Sequence, residues 1–89
     1  MIISISYDLN RPGQNYQDLY NTIKQATSWA HPLESLWFIQ TQESVNDLSE
    51  KLLRQIDQND HLFLVDITGQ PRQGWMSKEM WDWLDKHRN

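Results

Sequence analysis

The sequence predicts an α+β domain, in which helices cover a small antiparallel sheet, and three observations lead to this class. Residues 1–8 and 61–68 alternate in side-chain character as strands do. Residues 16–26 and 45–56 carry apolar side chains at helical spacing. The 89 residues are enough for one domain, and no linker or repeat divides them, so we expect a single domain over residues 1–89.

The first strand, residues 1–8, ends on a carboxylate. One predicted face carries Ile3, Ile5 and Tyr7, and the other carries Ser4, Ser6 and Asp8. The segment that follows, residues 10–13, contains proline and glycine and ends the strand. An acid in this position can activate a water or bind a metal, or it can simply form a turn.

The first helix is predicted to begin after Asn15, which can cap its amino end, and to finish near Ser28. Pro32 prevents its continuation and suits a strand start or an edge strand. Residues 33–41 are predicted to be extended, as one strand or as two short strands that meet near Glu34 and Ser35.

The second helix is predicted to begin at Ser44, with Asp47 completing a variant of the capping box, and to close at residues 59–60. The next strand, residues 61–68, has Phe63 on one face and Leu62 on the other. Residues 69–89 form an appended loop and a tryptophan-rich helix that Ser77 can cap.

This order of elements fits a ferredoxin-like βαββαβ sandwich with an extra C-terminal helix, provided that the middle segment is a hairpin. The first strand would then be central, paired antiparallel with the third and the fourth, and two helices would cover one face.

The predicted uncovered face combines apolar and small polar side chains, which suits contact with another surface better than contact with water. We expect a homodimer that packs sheet on sheet, although the C-terminal helix could cover this face instead. The face is assigned Ile2, Ser4, Ser6, Leu62 and Leu64, with either Trp37 or the pair Leu36 and Phe38.

Composition narrows the function. The net charge of −4 argues against a general nucleic-acid coat protein, and the absence of cysteine excludes disulfides and thiolate catalysis. With three glycines the chain has no glycine-rich phosphate loop. No segment is built like a signal peptide or a membrane span, so we expect a cytoplasmic protein that does not contact a membrane.

The predicted topology brings four polar groups toward one end of the sheet: Asp8, Glu34, Asp60 and His61. Carboxylates with an imidazole or water can hold Mg²⁺ or Mn²⁺, which can activate a water against a phosphodiester. Each group also has a simpler interpretation, because acids and histidines beside turns are common surface residues.

Five tryptophans are the unusual feature of the composition. Three of them, Trp75, Trp81 and Trp83, lie in the C-terminal segment, where a short helix cannot bury all of them unaided. Tryptophan is enriched in binding interfaces, so these residues are candidates for contact with a protein partner.

The segments Ser6-Tyr7-Asp8-Leu9 and Glu34-Ser35-Leu36-Trp37-Phe38 resemble the small CRISPR-associated adaptation endonucleases and the related VapD ribonuclease toxins. This resemblance implies a ferredoxin-like homodimer that acts on RNA or DNA. It implies that Asp8 of each subunit binds the metal near the dimer axis and that Ser35 is the inner-strand serine of the site. The scarcity of basic residues and the Trp-rich helix are departures from those families.

Two functions follow from the sequence. The first is a dimeric, metal-dependent nuclease that uses Asp8. The second is a non-catalytic dimeric adaptor, in which the sheet face forms the dimer and the tryptophan helix docks with a partner.

Overall fold

Four strands and three helices follow one another in a computed structural model that describes residues 1–10 and 16–87. No helix in the described part of the chain has the length and apolar character needed to cross a membrane. The elements are β1 (Ile2–Asp8), α1 (Gln17–Ile23), β2 (Ser28–Leu33), β3 (Leu36–Gln40), α2 (Val45–Leu53), β4 (His61–Asp66) and α3 (Lys78–Lys86).

The four strands form one antiparallel sheet in the order β2-β3-β1-β4. The central strand β1 pairs with β3, where Ile5 lies opposite Trp37, and with β4, where Ser6 lies opposite Phe63. Of the two alternatives left open for the middle segment, the structure has the hairpin, but its first strand begins at Ser28 and not at Leu33. The prediction of a first strand between the third and fourth is confirmed.

Helix α1 is shorter than predicted, because residues 28–33 belong to the sheet. The helix ends at Ile23, and Trp29 pairs with Ile39 of β3 instead of extending the helix. Cross-strand packing of aromatic and β-branched residues stabilises a sheet, and here it outweighs the helical spacing of the preceding residues. Pro32 lies in the edge strand β2, and an edge strand is one of the two positions predicted for it.

Two of the predicted helix caps are formed. The hydroxyl of Ser44 accepts a hydrogen bond from the Asp47 N–H at 3.0 Å, and that of Ser77 accepts one from the Met80 N–H at 3.4 Å. Each such cap stabilises a helix by about 1 kcal/mol. Helix α2 nevertheless ends at Leu53, earlier than predicted. The predicted cap of α1, Asn15, lies outside the described residues.

Helices α1 and α2 pack on one face of the sheet, as predicted. The odd-numbered residues of β1 point toward this face, and the larger hydrophobic core lies here. Its buried members are Ile3, Ile5, Leu19, Ile23, Trp37, Ile39, Leu48 and Leu52.

Helix α3 packs on the opposite face and buries a second, smaller core. Leu84 packs there with Ala30 and Phe38, and Leu36, Ile67, Met76, Met80, Trp81 and Trp83 surround them. Of the two ways predicted to cover this face, the structure uses the C-terminal helix for part of it. Residues 78–86 are therefore part of the folded core and not a peripheral appendage.

The predicted faces of β4 are reversed. Leu62 and Leu64 pack against the core under α1 and α2, and Phe63 and Val65 point to the other face. The reason is the register, since Ser6 lies opposite Phe63 and opposite residues share a face. Trp37 is likewise buried on the helix-covered side, so none of Leu62, Leu64 and Trp37 lies on the face assigned to a partner copy.

Replacing Leu84 by alanine tests whether α3 is integral to the fold. Leu84 is only 2 % exposed, so the truncation should leave a cavity and lower the free energy of unfolding by about 3 kcal/mol. Leu53→Ala is the matched control, because Leu53 is 52 % exposed on α2 and should change the stability far less. Urea unfolding of both variants checks this, and equal effects would contradict the assignment.

Candidate functional site

The end of β1 and the start of β4 carry the candidate site. Asp8 lies directly opposite His61 in the antiparallel register, and both residues are exposed. Opposite residues share a face, so the carboxylate and the imidazole project from the same side of the sheet. They border a shallow depression of about 230 Å³, which is also lined by Ser6, Tyr7, Leu62 and Phe63.

The Tyr7 side chain braces this end of the sheet from the opposite face. Its hydroxyl donates to the carbonyl oxygen of Glu34 at 3.1 Å and accepts from Trp37 Nε1 at 2.9 Å. Burial raises the pKa of Tyr7, so the phenol stays protonated and keeps its donor role. The turn between β2 and β3 is therefore tied to β1, the strand that carries Asp8.

Ser35 lies in the turn between β2 and β3 and not on an inner strand. The chain reverses direction between Leu33 and Leu36, and Ser35 is exposed at this reversal. Its carbonyl oxygen accepts a hydrogen bond from the Tyr7 N–H at 3.2 Å. The resemblance to the nuclease families implied a strand position for this serine, and the hairpin geometry contradicts that position.

Asp60 faces inward and has a structural role. One carboxylate oxygen accepts from the Asn10 N–H at 2.8 Å and from the Tyr16 hydroxyl at 2.7 Å, and the other accepts from the Asp57 N–H at 2.9 Å. Asp60 thus joins the segment after β1, the start of α1 and the loop before β4. Its buried carboxylate is engaged by donors, as a buried charge requires.

The four-group cluster predicted from the sequence is therefore only partly assembled. Asp8 and His61 lie opposite each other on paired strands, Asp60 is directed into its own hydrogen-bond network, and Glu34 is exposed in the turn between β2 and β3. Within residues 1–10 and 16–87, no three histidine or carboxylate side chains form a group that could hold a metal ion. Asp8 and His61 alone provide two donors, which is a poor fit to a protein-held Mg²⁺ or Mn²⁺.

An aromatic cluster that the sequence analysis missed lies where β2 and β3 pair. His31 stacks on Trp37 with ring centroids 3.8 Å apart, and the Trp29 ring lies 5.3 Å from that of Trp37. The Lys24 ammonium sits 5.1 Å above the Trp29 ring. The sequence signal was the alternation of Trp29, Ala30 and His31, which becomes visible only once the first helix is ended at Ile23.

The C-terminal tryptophans differ in their surroundings. Trp83 donates from Nε1 to the Ser28 hydroxyl at 3.0 Å and stacks near Phe38, so it holds α3 against β2 and β3. Trp81 is half-buried and lines a cavity of about 290 Å³ between α3 and the sheet. Trp75 borders the same cavity and is 97 % exposed, so it is the tryptophan most available to a partner.

The other residues assigned to an interface from the sequence are mostly covered. Ile2 is buried, and Ser4 lines the cavity beside α3. Ser6 is half-buried in the depression with Asp8. No protein-family model matches the chain, and no curated protein is significantly similar to it.

Replacing Asp60 by asparagine tests its bracing role. The amide keeps one acceptor oxygen but replaces the other with an N–H₂, which cannot accept the hydrogen bond made there. The variant should therefore lose about 2 kcal/mol of unfolding free energy. Glu50→Gln, an exposed acid-to-amide change on α2, serves as the control and should be near neutral. Thermal and urea unfolding measure the difference, and a neutral Asp60→Asn would contradict the role.

Proposed function

We propose that this protein is a homodimeric, nuclease-like enzyme that cleaves single-stranded RNA at the depression formed by Asp8 and His61. The observation that carries the proposal is the register of β1 and β4, which puts the two exposed side chains opposite each other in one depression. Their backbones belong to paired strands, and strands position a reacting group better than a loop does.

The chemistry that suits this pair is proton transfer. His61 accepts the proton of a ribose 2′-hydroxyl while the 2′-oxygen attacks the adjacent phosphorus. The bond from phosphorus to the 5′-oxygen then breaks, and the imidazolium donates the proton to that oxygen. Asp8 stabilises the imidazolium between these steps. The products are a 2′,3′-cyclic phosphate and a free 5′-hydroxyl.

This chemistry favours RNA over DNA, because the nucleophile is the 2′-hydroxyl that DNA lacks. It also requires no metal step, which suits a site with only two metal donors in the described part of one subunit. A divalent ion at Asp8 is what the resemblance to the CRISPR-associated and VapD families implies, and the proposed proton transfer does not depend on it.

The fold that we propose for this function is the ferredoxin-like sandwich, with α3 added on the second face. The strand order β2-β3-β1-β4, with both other helices on one face, supports this classification. The resemblance of residues 6–9 and 34–38 to the two nuclease families points the same way.

Substitutions at the depression test the proposed activity. With labelled single-stranded RNA in EDTA, the protein should release cyclic-phosphate ends, and His61→Gln should slow cleavage by about 100-fold. Asp8→Asn should also slow it, though less. Glu50→Gln is the control, since Glu50 is an exposed acid on α2 that does not line the depression, and the cleavage rate of this variant should be unchanged.

Three outcomes would contradict this activity. They are cleavage undiminished in both His61→Gln and Asp8→Asn, equal cleavage of DNA, and cleavage that needs Mn²⁺ and depends on Asp8 alone. The last of these would favour the metal-dependent alternative.

A second candidate function is a non-catalytic adaptor that binds an apolar side chain of a protein partner. Its supporting observation is Trp75, fully exposed beside the cavity lined by Phe38, Met76 and Trp81. Exposed tryptophans next to an apolar cavity are typical of interaction hot spots. Trp81 and Trp83 contribute less than the sequence suggested, because they hold α3 in place.

Peptides selected on the purified protein from a random library test the adaptor. They should share an aromatic or branched apolar anchor, and Trp75→Ala should weaken their binding by about 10-fold without altering the unfolding curve. Leu53→Ala provides the comparison at another exposed apolar site. Peptides that bind Trp75→Ala as tightly as the unaltered protein would contradict this function.

A further inference from the structure

Strand β4 is an open sheet edge. It pairs only with β1, at the outside of the sheet, and Asp66 at its end is the one acidic residue among its six. It contains no proline, lysine or bulge, which are common ways to block an edge. The opposite edge, β2, carries Pro32 and a shift of register between Ala30 and Leu33.

The hydrogen-bonding direction of β4 follows from its pairing with β1. The Ile67 N–H donates to the Ile2 carbonyl at 2.9 Å, continuing the ladder, so odd-numbered residues turn their backbone groups toward β1. Leu62, Leu64 and Asp66 therefore direct their N–H and C=O groups away from the sheet. The next even residue, Asp60, uses its N–H for the Asp57 carbonyl.

Leu62, Leu64 and Asp66 thus form a row of outward-facing backbone groups, three residues long and centred on Leu64. A strand that satisfies all of it needs three alternate residues with outward-facing backbone groups, and an antiparallel second copy of β4 provides such a row. With a two-fold axis at Leu64, Leu64 lies opposite the partner's Leu64 and Leu62 lies opposite the partner's Asp66. All six outward-facing N–H groups of the two rows would then find carbonyl acceptors.

The side chains also match in this register. Phe63 is 66 % exposed and Val65 is 41 % exposed, both on the face that α3 leaves partly open. Phe63 would lie opposite the partner's Val65, and Val65 opposite the partner's Phe63. Aromatic and β-branched pairs of this kind stabilise antiparallel strands.

We propose that two copies of the chain join through β4, antiparallel and centred on Leu64, to form one continuous eight-stranded sheet. The inference gives the proposed homodimer its surface, and it rests on that part of the proposed function and not on the chemistry at Asp8. It also separates the two sites. From a strand spacing of about 4.8 Å and a rise of about 3.3 Å per residue, the two Asp8 residues would be roughly 25 Å apart.

Cysteine pairing tests the surface and the register together, because the chain has no cysteine of its own. Phe63→Cys and Val65→Cys are both made at exposed positions, so the fold should survive. A mixture of the two variants should form a disulfide-linked dimer under mild oxidation, and either variant alone should form far less. Dimerisation by Phe63→Cys alone would move the axis to Phe63 and overturn the register.

The solution mass tests the association itself. The unaltered 10.7 kDa chain should sediment as a dimer. The double substitution Phe63→Lys with Val65→Lys should weaken the dimer by about 10-fold or more, because like charges would oppose each other across the new pair. The control Leu53→Lys, on α2, should leave the mass unchanged.

A monomeric unaltered chain, or a dimer indifferent to the double substitution, would overturn the proposal. The test is independent of catalysis, since it reads mass and cross-linking. A dimer without ribonuclease activity would refute the proposed chemistry and leave the β4 surface standing, and an active monomer would do the reverse.

Discussion

Burial of β1 on both of its faces is the constraint on which the rest of the structure depends. Ile3 and Ile5 pack under α1 and α2, and Ile2 and Ser4 are buried on the opposite face, part of which α3 covers. Because neighbouring strands flank β1 on both sides, its backbone is also satisfied. A domain of this size buries a limited share of its surface, so the second layer formed by α3 matters for its stability.

The same constraint decides where polar chemistry can appear. A strand covered on both faces tolerates no charge along most of its length, and the first acid, Asp8, comes where β1 leaves the core. Tyr7 and Asp60 then hold the surrounding segments, through the hairpin turn on one side and the start of α1 on the other. An exposed pair of side chains is thereby carried on a well-braced end of the sheet.

The proposed assembly and the proposed chemistry constrain each other. A site built from one acid of each subunit needs the ends of two β1 strands to meet at the symmetry axis. An edge-to-edge dimer through β4 keeps these ends apart and leaves each subunit with its own Asp8 and His61. The proton-transfer chemistry proposed for that pair is compatible with such a dimer, whereas a shared metal centre is not.

Much of the fold could be predicted from the sequence, and less of the site. The central position of β1, the caps at Ser44 and Ser77 and the two-helix face follow from local patterns and from the rules of sheet topology. The end of α1 could not be predicted, because residues 24–28 continue a weak helical pattern and only pairing with β3 draws Trp29 into a strand.

Alternation along the chain, helix caps and turn residues predicted most of the elements and their order, because these signals depend on neighbouring residues alone. Strand β2 is the exception, since most of it precedes the segment predicted to be extended. The register of β4 against β1 decided which β4 residues are buried and which acid meets a histidine. Other tertiary contacts decided that Asp60 faces inward and that α3 completes the core. These outcomes depend on contacts between residues far apart in sequence, and a shift of one residue in pairing would exchange the two faces of a strand.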